Sequence, residues 1–304
     1  MQIELVNECG SFVIGGSNPT AQLLETAGLG PPAKELTKVV FLGQPGFTQT
    51  GSRDLERTIT ISFDFFGNQH DVEALYKIIF RPVDIYITSG NIKRKINGLC
   101  TNATDIEYII YHEWNKAVFQ FLCASPYFND FEYTQVIMNR ENQLPNFYLE
   151  SDSESGYYVV MNDESNPPIA TRRLDDLTVT NRGDTNVYPK LYLTNVQKSD
   201  GAITSEAKGI SIINNTIGKA VSFMSGFSLG VDNTIMVDLE QRKIFLQNGL
   251  STENITLKMS DDTVLGDFVL IPGSNNLSFN SSNPSDSNLS LMLEFNNNYC
   301  SAVI

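Results

Sequence analysis

The chain has 304 residues, 41% hydrophobic and 18% charged, enough apolar material for a substantial core and too much for bulk disorder. Its length suggests about two domains. Thirty-five acidic against 21 basic residues give a net charge of −14, which excludes a general nucleic-acid-binding surface, because that needs a basic patch.

In chain order, residues 2–6 and 11–14 read as short strands around a turn at Asn7-Glu-Cys-Gly10. Gly15 to Lys38 holds three prolines and four glycines; a structureless run of that length is uncommon inside a compact domain and reads as an arm or binding loop. Val39-Val-Phe-Leu42 reads as a strand and Gly43–Asp54 as a further loop. From Arg57 the pattern sharpens. Ile59, Ile61, Phe63 and Phe65 alternate with Thr60, Ser62 and Asp64, the period of a half-buried strand. After Gly67-Asn68, Val72, Leu75, Tyr76 and Ile79 fall on one helical stripe. Arg81-Pro82 ends that helix, since proline disfavours helical geometry at the residue before it. A hairpin follows, with Ile85 and Ile87 alternating, a turn at Ser89-Gly90-Asn91 and a basic return over Lys93–Gly98. Glu107–Tyr111 and Ala117–Leu122 read as another hairpin across Trp114-Asn115, and Ser125-Pro-Tyr-Phe128 closes a first domain of residues 1–128.

Residues 129–304 read as a second domain. Its stretch 139–175, with Asp152-Ser-Glu-Ser-Gly156 and Asn166-Pro-Pro168, has the character of an irregular insertion. Short strands and turns then recur at Leu177–Thr180, Lys190–Thr194, Ile210–Asn214, Ala220–Met224, Thr234–Asp238, Lys243–Leu246, Ile255–Lys258, Asp267–Leu270, Leu277–Phe279 and Leu289–Phe295. Such spacing without a helical pattern predicts an antiparallel β-sandwich.

No catalytic constellation emerges. Gly28-Leu-Gly30-Pro-Pro-Ala33 matches the letters of a dinucleotide loop, but Pro31 and Pro32 lack the N–H groups that such a loop offers a pyrophosphate. Gly226-Phe-Ser228-Leu-Gly230 matches a nucleophile elbow, yet both histidines, His70 and His112, precede Ser228, whereas the base follows the serine in that arrangement. His112-Glu113 has no second histidine at metal-binding spacing, and no Walker or EF-hand loop is present. Cys9, Cys100, Cys123 and Cys300 are far apart, the pattern of reduced thiols rather than of a disulfide framework or zinc site. No cofactor or metal site is therefore expected. The N-terminus lacks a basic segment and apolar run, and no stretch reaches the ~18 apolar residues of a membrane span. The expectation is a soluble, non-enzymatic protein made in a cytoplasm.

Two ordered sets of residues resemble one family. The first runs from Arg57-Thr-Ile-Thr-Ile through the helix to Arg81-Pro82, then Lys93–Gly98, ending in Phe121-Leu-Cys-Ala-Ser-Pro-Tyr-Phe128. The second is Val179-Thr-Asn181-Arg-Gly183-Asp184 with Pro189, Ile213-Asn-Asn-Thr-Ile-Gly218, Ile235–Asp238, Arg242-Lys-Ile-Phe-Leu and the closing Gly266-Asp-Phe-Val-Leu-Ile-Pro-Gly273-Ser-Asn275. Together they resemble the distal tail proteins of tailed bacteriophages, the siphophage tail-component family, with an equivalent part in tail-like bacteriocins. Residues 129–175 match least. The resemblance implies a mainly β protein, with a ring-forming mixed β domain carrying one short helix and a galectin-like antiparallel sandwich behind it. It implies no enzymatic activity. Six copies would form a ring at the distal end of the virion tail, joining tail-tube protein to tail-tip and receptor-binding proteins and docking adsorption parts. DNA would pass through without being held, so Lys93, Arg94 and Lys95 are expected to be paired or turned from the lumen. The competing reading is a carbohydrate-binding module attaching the particle to host glycans. The second domain contains neither histidine nor tryptophan, which leaves Tyr157, Tyr158, Tyr188, Tyr192 and Phe245 as the rings on which a sugar could stack.

Overall fold

A computed structural model describes residues 1–42, 45–104, 115–139, 147–152, 156–161, 176–197, 204–283 and 287–302. The chain divides into two compact units. One comprises Met1–Glu132, Gly183–Thr185 and Asn297–Ile304; the other comprises Tyr133–Arg182 and Asn186–Asn296.

The first unit contains strands β1 (Gln2–Asn7), β2 (Gly10–Gly15), β3 (Ala21–Ala27), β4 (Lys34–Val39), β5 (Thr48–Asp54) and β6 (Arg57–Phe65), then helix α1 (Gln69–Ile79). Strands β7 (Val83–Ser89), β8 (Ile92–Ala103), β9 (Asn115–Cys123) and β10 (Phe128–Asn129) follow. The strand order is β2-β1-β7-β8-β9-β6-β3, and every described ladder in it is antiparallel. The unit is mixed in the sense of strands plus one helix. As the alternation in β6 requires, Ile59, Ile61, Phe63 and Phe65 are buried. Asn68 caps α1 by accepting from the His70 and Asp71 N–H groups, while the Asp71 carboxylate accepts from Asn68 N–H. Leu75, Ile78 and Ile79 of α1 are buried, with Val72 and Tyr76 packed against the same core.

Strand β8 serves β7 and β9 in succession, and its Lys95 also pairs with Asn129 of β10. Residues 92–98 pair with β7 and residues 99–103 with β9, with a register shift between Cys100 and Asn102. Gly98 marks the changeover. A Cβ there would meet Cys123 Sγ at 3.0 Å and Phe121 Cβ at 3.3 Å, so the two ladders come together only over a residue without a side chain.

The N-terminal connection differs from the structureless arm read between Gly15 and Lys38. Its first part is β3, which pairs with β6 through a bulge between Leu23 and Glu25. The bulge breaks the period of two, and an edge strand with one neighbour needs only Ala21 buried. Strands β4 and β5 form a separate hairpin, so the strand read at 39–42 ends at Val39 and the loop read over 43–54 becomes β5 from Thr48. All six residues of β4 are exposed, which removes the buried-face alternation on which strand recognition depends. The expected partner hairpin at Glu107–Tyr111 lies outside the described residues.

The second unit contains β11 (Thr134–Asn139), β12 (Phe147–Asp152), β13 (Gly156–Met161), β14 (Asp176–Asn181), β15 (Lys190–Asn195), β16 (Ala207–Lys208), β17 (Ser211–Asn214) and β18 (Lys219–Ser222). It continues with β19 (Ser228–Leu229), β20 (Thr234–Asp238), β21 (Lys243–Asn248), β22 (Ser251–Asn254), β23 (Gly273–Asn280) and β24 (Leu289–Phe295). A six-stranded sheet, β11-β24-β15-β20-β21-β22, and a four-stranded sheet, β14-β23-β17-β18, are both antiparallel. Inward residues of both, including Leu191, Val237 and Leu293 from one and Ile212, Val221 and Phe279 from the other, share one core. This is the antiparallel sandwich read from the sequence. Two segments read as strands are otherwise. Ile255–Lys258 makes a 3-10 turn at Thr256–Lys258, and the Asp267–Leu270 segment opens on another at Leu265–Asp267, leaving an isolated bridge from Leu270 to Val187. Side chains divert the backbone at the first: Asn254 Oδ1 accepts from Thr256 N–H, and Thr256 Oγ1 accepts from Ile244 N–H. Within 139–175, β12 and β13 form a hairpin that pairs with no other described strand.

Strand β25 (Asn298–Tyr299) belongs to the first unit, pairing with β10. The contiguous division into 1–128 and 129–304 therefore gives way to a first unit assembled from three chain segments. Arg57 ties them. Its guanidinium is buried and donates to the carbonyls of Gly28, Gly30, Pro126 and Cys300, with Phe128 against its face at 4.4 Å. Gly28 can approach because it has no side chain: at φ +82°, a Cβ would lie 2.0 Å from Thr58 O.

Two predictions follow from this packing. Replacing Arg57 with Met removes the donor from the Gly28, Gly30, Pro126 and Cys300 carbonyls, and a hydrogen bond to a charged group is worth about 1.5–3 kcal/mol. We expect the urea midpoint to fall by at least ~3 kcal/mol equivalent at unchanged slope, and an unaltered midpoint would disprove the role assigned to Arg57. The second concerns the buried Cys123 thiol, which burial pushes up from 9.0 to about 11. The unfolded chain then loses this proton first, so stability is full below pH 9 and declines between pH 9 and about 11. Cys123→Ala should flatten that decline in thermal melts; an identical pH slope in wild type and variant would contradict it.

Candidate assembly and docking surfaces

The β4–β5 hairpin pairs with no other described strand. Its base is fastened: Leu55 N–H donates to Ala33 O at 2.8 Å, Lys34 lies 3.7 Å from Asp54, and Tyr127 donates its hydroxyl to Asp54. Burial and that bond push the Tyr127 pKa up, so the phenol remains a donor. Arg53 pairs with Glu35 across the strands, and Lys38 sits 4.6 Å over the Phe47 ring. The far end is apolar and uncovered, with Val40 at 71%, Phe41 at 53%, Leu42 at 106% and Phe47 at 53% exposure. Clustered exposure of this kind marks an interaction site.

The basic run on β8 is largely occupied. Arg94 pairs with Asp130 at 3.1 Å and lies 3.4 Å over the Tyr299 ring, while Lys95 Nζ donates to Phe131 O at 2.9 Å. Lys93 is exposed. Two of the three cations thus hold the first unit together.

The six-stranded sheet of the second unit carries three rows of side chains across the face opposite its core. Ladder partners Ile137, Met292, Tyr192, Met236 and Phe245 make an apolar row. At strand spacing it is roughly 19 Å long. On one side lies the charged row Glu294, Lys190, Asp238 and Lys243, with Lys190 and Asp238 3.7 Å apart. On the other lie Ser290, Thr194, Thr234, Gln247 and Thr252, where the Thr194 and Thr234 hydroxyls bond at 2.8 Å. An apolar strip between polar margins has the composition of a docking patch. It also brings together Tyr192 and Phe245 from the five candidate stacking rings; Tyr188 is exposed elsewhere, and the side chains of Tyr157 and Tyr158 lie outside the described residues.

The motif matches resolve into backbone structure. In the Gly28–Ala33 loop it is the Gly28 and Gly30 carbonyls that are used, both accepting from Arg57; they face a cation, the reverse of an anion-binding loop. Ser228 begins β19, which pairs with β16, so its surroundings are strand rather than strand-to-helix elbow. It borders an open cavity of about 610 Å³ with Met224, Phe227, Lys258, Ser260 and Asp261. His70 lies on α1, and His112 and Trp114 lie outside the described residues. Among the described residues, no three His, Cys, Asp or Glu side chains gather as a metal site, and no helix is long and apolar enough to cross a membrane. The sequence missed two features, the Arg57 node and the apolar row. The first had no local signal, and the second exists only once ladder register is known.

No family model matches the chain, and no curated protein matches it in sequence. Its fold matches the crystal structure of the SPP1 Dit (gp 19.1) protein, described as a paradigm of the hub adsorption apparatus in phages infecting Gram-positive bacteria. The TM-score is 0.59 at 13% identity, over 91% of this chain and 93% of that one. A chain of the phage P2 baseplate, solved in its activated conformation with Ca, aligns over 96% of this chain and 97% of its own at 12% identity, with a TM-score of 0.47.

Proposed function

We propose that the chain is a structural, non-enzymatic component of a phage-type tail, closing through its first unit into a homo-oligomeric ring, most simply a hexamer, at the distal end of the tail tube. The observation that carries this reading is the fastened β4–β5 hairpin, whose apolar end is exposed and which pairs with no other described strand. The likeness of fold to a hub protein, over nearly the whole length of both chains, supports it. A second copy of the chain is the simplest cover for that end, and repetition of one such contact must close into a ring to avoid a fibre. Tail-tube protein on one side and tail-tip protein on the other are the expected partners, with receptor-binding proteins attached peripherally. DNA would pass without being held, because the chain is acidic overall and Arg94 and Lys95 are already engaged. Its place is the virion tail tip, after assembly in the host cytoplasm.

The second unit then serves as the docking face, through the row from Ile137 to Phe245. Methionine and aromatic side chains at the centre of a patch suit a protein partner. The competing sugar reading rests on Tyr192 and Phe245 beside a row of hydroxyls.

Two measurements test these assignments. Native mass of the full-length protein, with and without tail-tube protein, should show a closed oligomer. The double substitution Phe41→Ser, Leu42→Ser should reduce it to monomer with an unchanged far-UV circular dichroism spectrum, since both residues are exposed. A monomer under every condition, or a variant of unchanged mass, would refute the ring. For the second unit, titration of full-length protein with bacterial surface glycans should give no saturable heat. Binding that disappears in Tyr192→Ser would replace protein docking with sugar recognition.

A further inference from the structure

Every residue from Asn297 to Ala302 is engaged inside the first unit. Asn297 Nδ2 donates to Asp130 at 2.7 Å, and the Tyr299 hydroxyl donates to the same carboxylate at 3.3 Å. Asn298 and Tyr299 pair with Asn129 and Phe128. Asn298 O accepts from Asp184 N–H, and the Asp184 carboxylate accepts from Cys300 N–H at 2.9 Å. The Cys300 carbonyl takes Arg57 Nη2 at 2.9 Å. Leu29 O receives both the Ser301 hydroxyl and the Ala302 N–H, each at 3.0 Å, and Ala302 is fully buried in the first unit's core.

The residues that receive this segment lie far back along the chain: 243 positions separate Arg57 from Cys300 and 272 separate Leu29 from Ser301. The chain is made from its N-terminus, and domains ordinarily fold as they emerge. Here β1 to β10 are complete long before residues 297–302 exist. Until those arrive, Arg57 lacks one of its four carbonyls, the Leu29 carbonyl lacks both its donors, and β10 keeps its pairing with β8 but lacks β25 on its other side. An unpaired buried group is costly, and an open strand edge beside it is a site for wrong pairing.

We propose that residues 297–302 are a closing strap that makes the first unit a late-completing one, so that its packing around Arg57, and any assembly through that unit, becomes competent only once the chain of the second unit has been made. The assembly half of this statement rests on the ring reading above; the folding half does not. The device gives order to construction. A ring-forming unit that matured first would meet its copies while the rest of each chain was still unfinished.

The test uses the full chain with Ala302→Glu, which places a charge at a fully buried position of the strap and so ejects it, with Ala302→Ser as the conservative control. Hydrogen exchange is read separately over the two units. We expect Ala302→Glu to lower protection in residues 28–30, 57–60 and 121–129 about ten- to hundredfold, the scale set by one unpaired buried group. Strands β15, β20 and β24 should exchange as in wild type, and a synthetic peptide of residues 295–302 added in trans should restore part of the lost protection. The control should behave as wild type. Wild-type protection of 28–30 and 57–60 in Ala302→Glu would overturn the strap. So would loss of protection spread equally over both units, because the strap would then be ordinary core. Native mass on the same samples isolates the assembly half. A strap-ejected variant that still forms the wild-type oligomer would overturn gating while leaving the ring reading intact, and a monomeric wild type would instead defeat the ring reading and leave the exchange result standing.

Discussion

A buried guanidinium without a carboxylate is the constraint around which the first unit is built. Among the described residues Arg57 has no acidic partner; its positive charge is solvated by four main-chain carbonyls and an aromatic face. Burial lowers its pKa below the ordinary arginine value, and arginine remains charged nonetheless. An ion pair would fix one residue to one other. Carbonyl oxygens instead fix backbone, so Arg57 determines where the 28–30 loop, the turn before β10 and the last strand lie relative to β6. The absence of a side chain on Gly28 and the burial of Ala302 follow from the need to bring these segments within hydrogen-bonding reach.

The second unit solves a related problem with asparagines. Asn275 accepts from Ile271 N–H and donates to the Ile271 and Gly273 carbonyls, closing the Pro-Gly-Ser-Asn corner that opens β23. Asn214 donates to Val269 O, Asn181 to Leu270 O, and Asn195 to Ser205 O and Leu229 O. Connections that leave a ladder thereby keep their buried polar groups paired. This is the physical content of the closing signature noted in the sequence: its asparagine is a backbone clamp rather than a surface residue.

What the sequence revealed tracked burial on one face. Strand β6, helix α1 and the core strands of the sandwich were legible because each buries one side of a regular element, as Ile59 to Phe65 and Leu289 to Phe295 do. Strands β4 and β5 were illegible because an exposed hairpin buries neither side. The 3-10 turn at Thr256 was misread because local side-chain bonds outweighed its apolar spacing. Register was the other blind spot. The row from Ile137 to Phe245 draws on five strands spread over more than a hundred positions, and no local window contains it. The unit boundary differs for the same reason: long-range contacts such as Phe128 with Tyr299 and Leu29 with Ser301 bring the end of the chain back to the first unit.

Strand β8 has a mechanical consequence. Because its two halves belong to successive ladders, with β7 and then with β9, the two parts of the first unit's sheet share one uninterrupted length of polypeptide. A pull on β7 enters β8 across one hydrogen-bonded ladder and leaves it for β9 across another, while between the two it runs along the backbone through Gly98. The two ladders therefore cannot slide past one another at their junction, because the same backbone fixes the register of both.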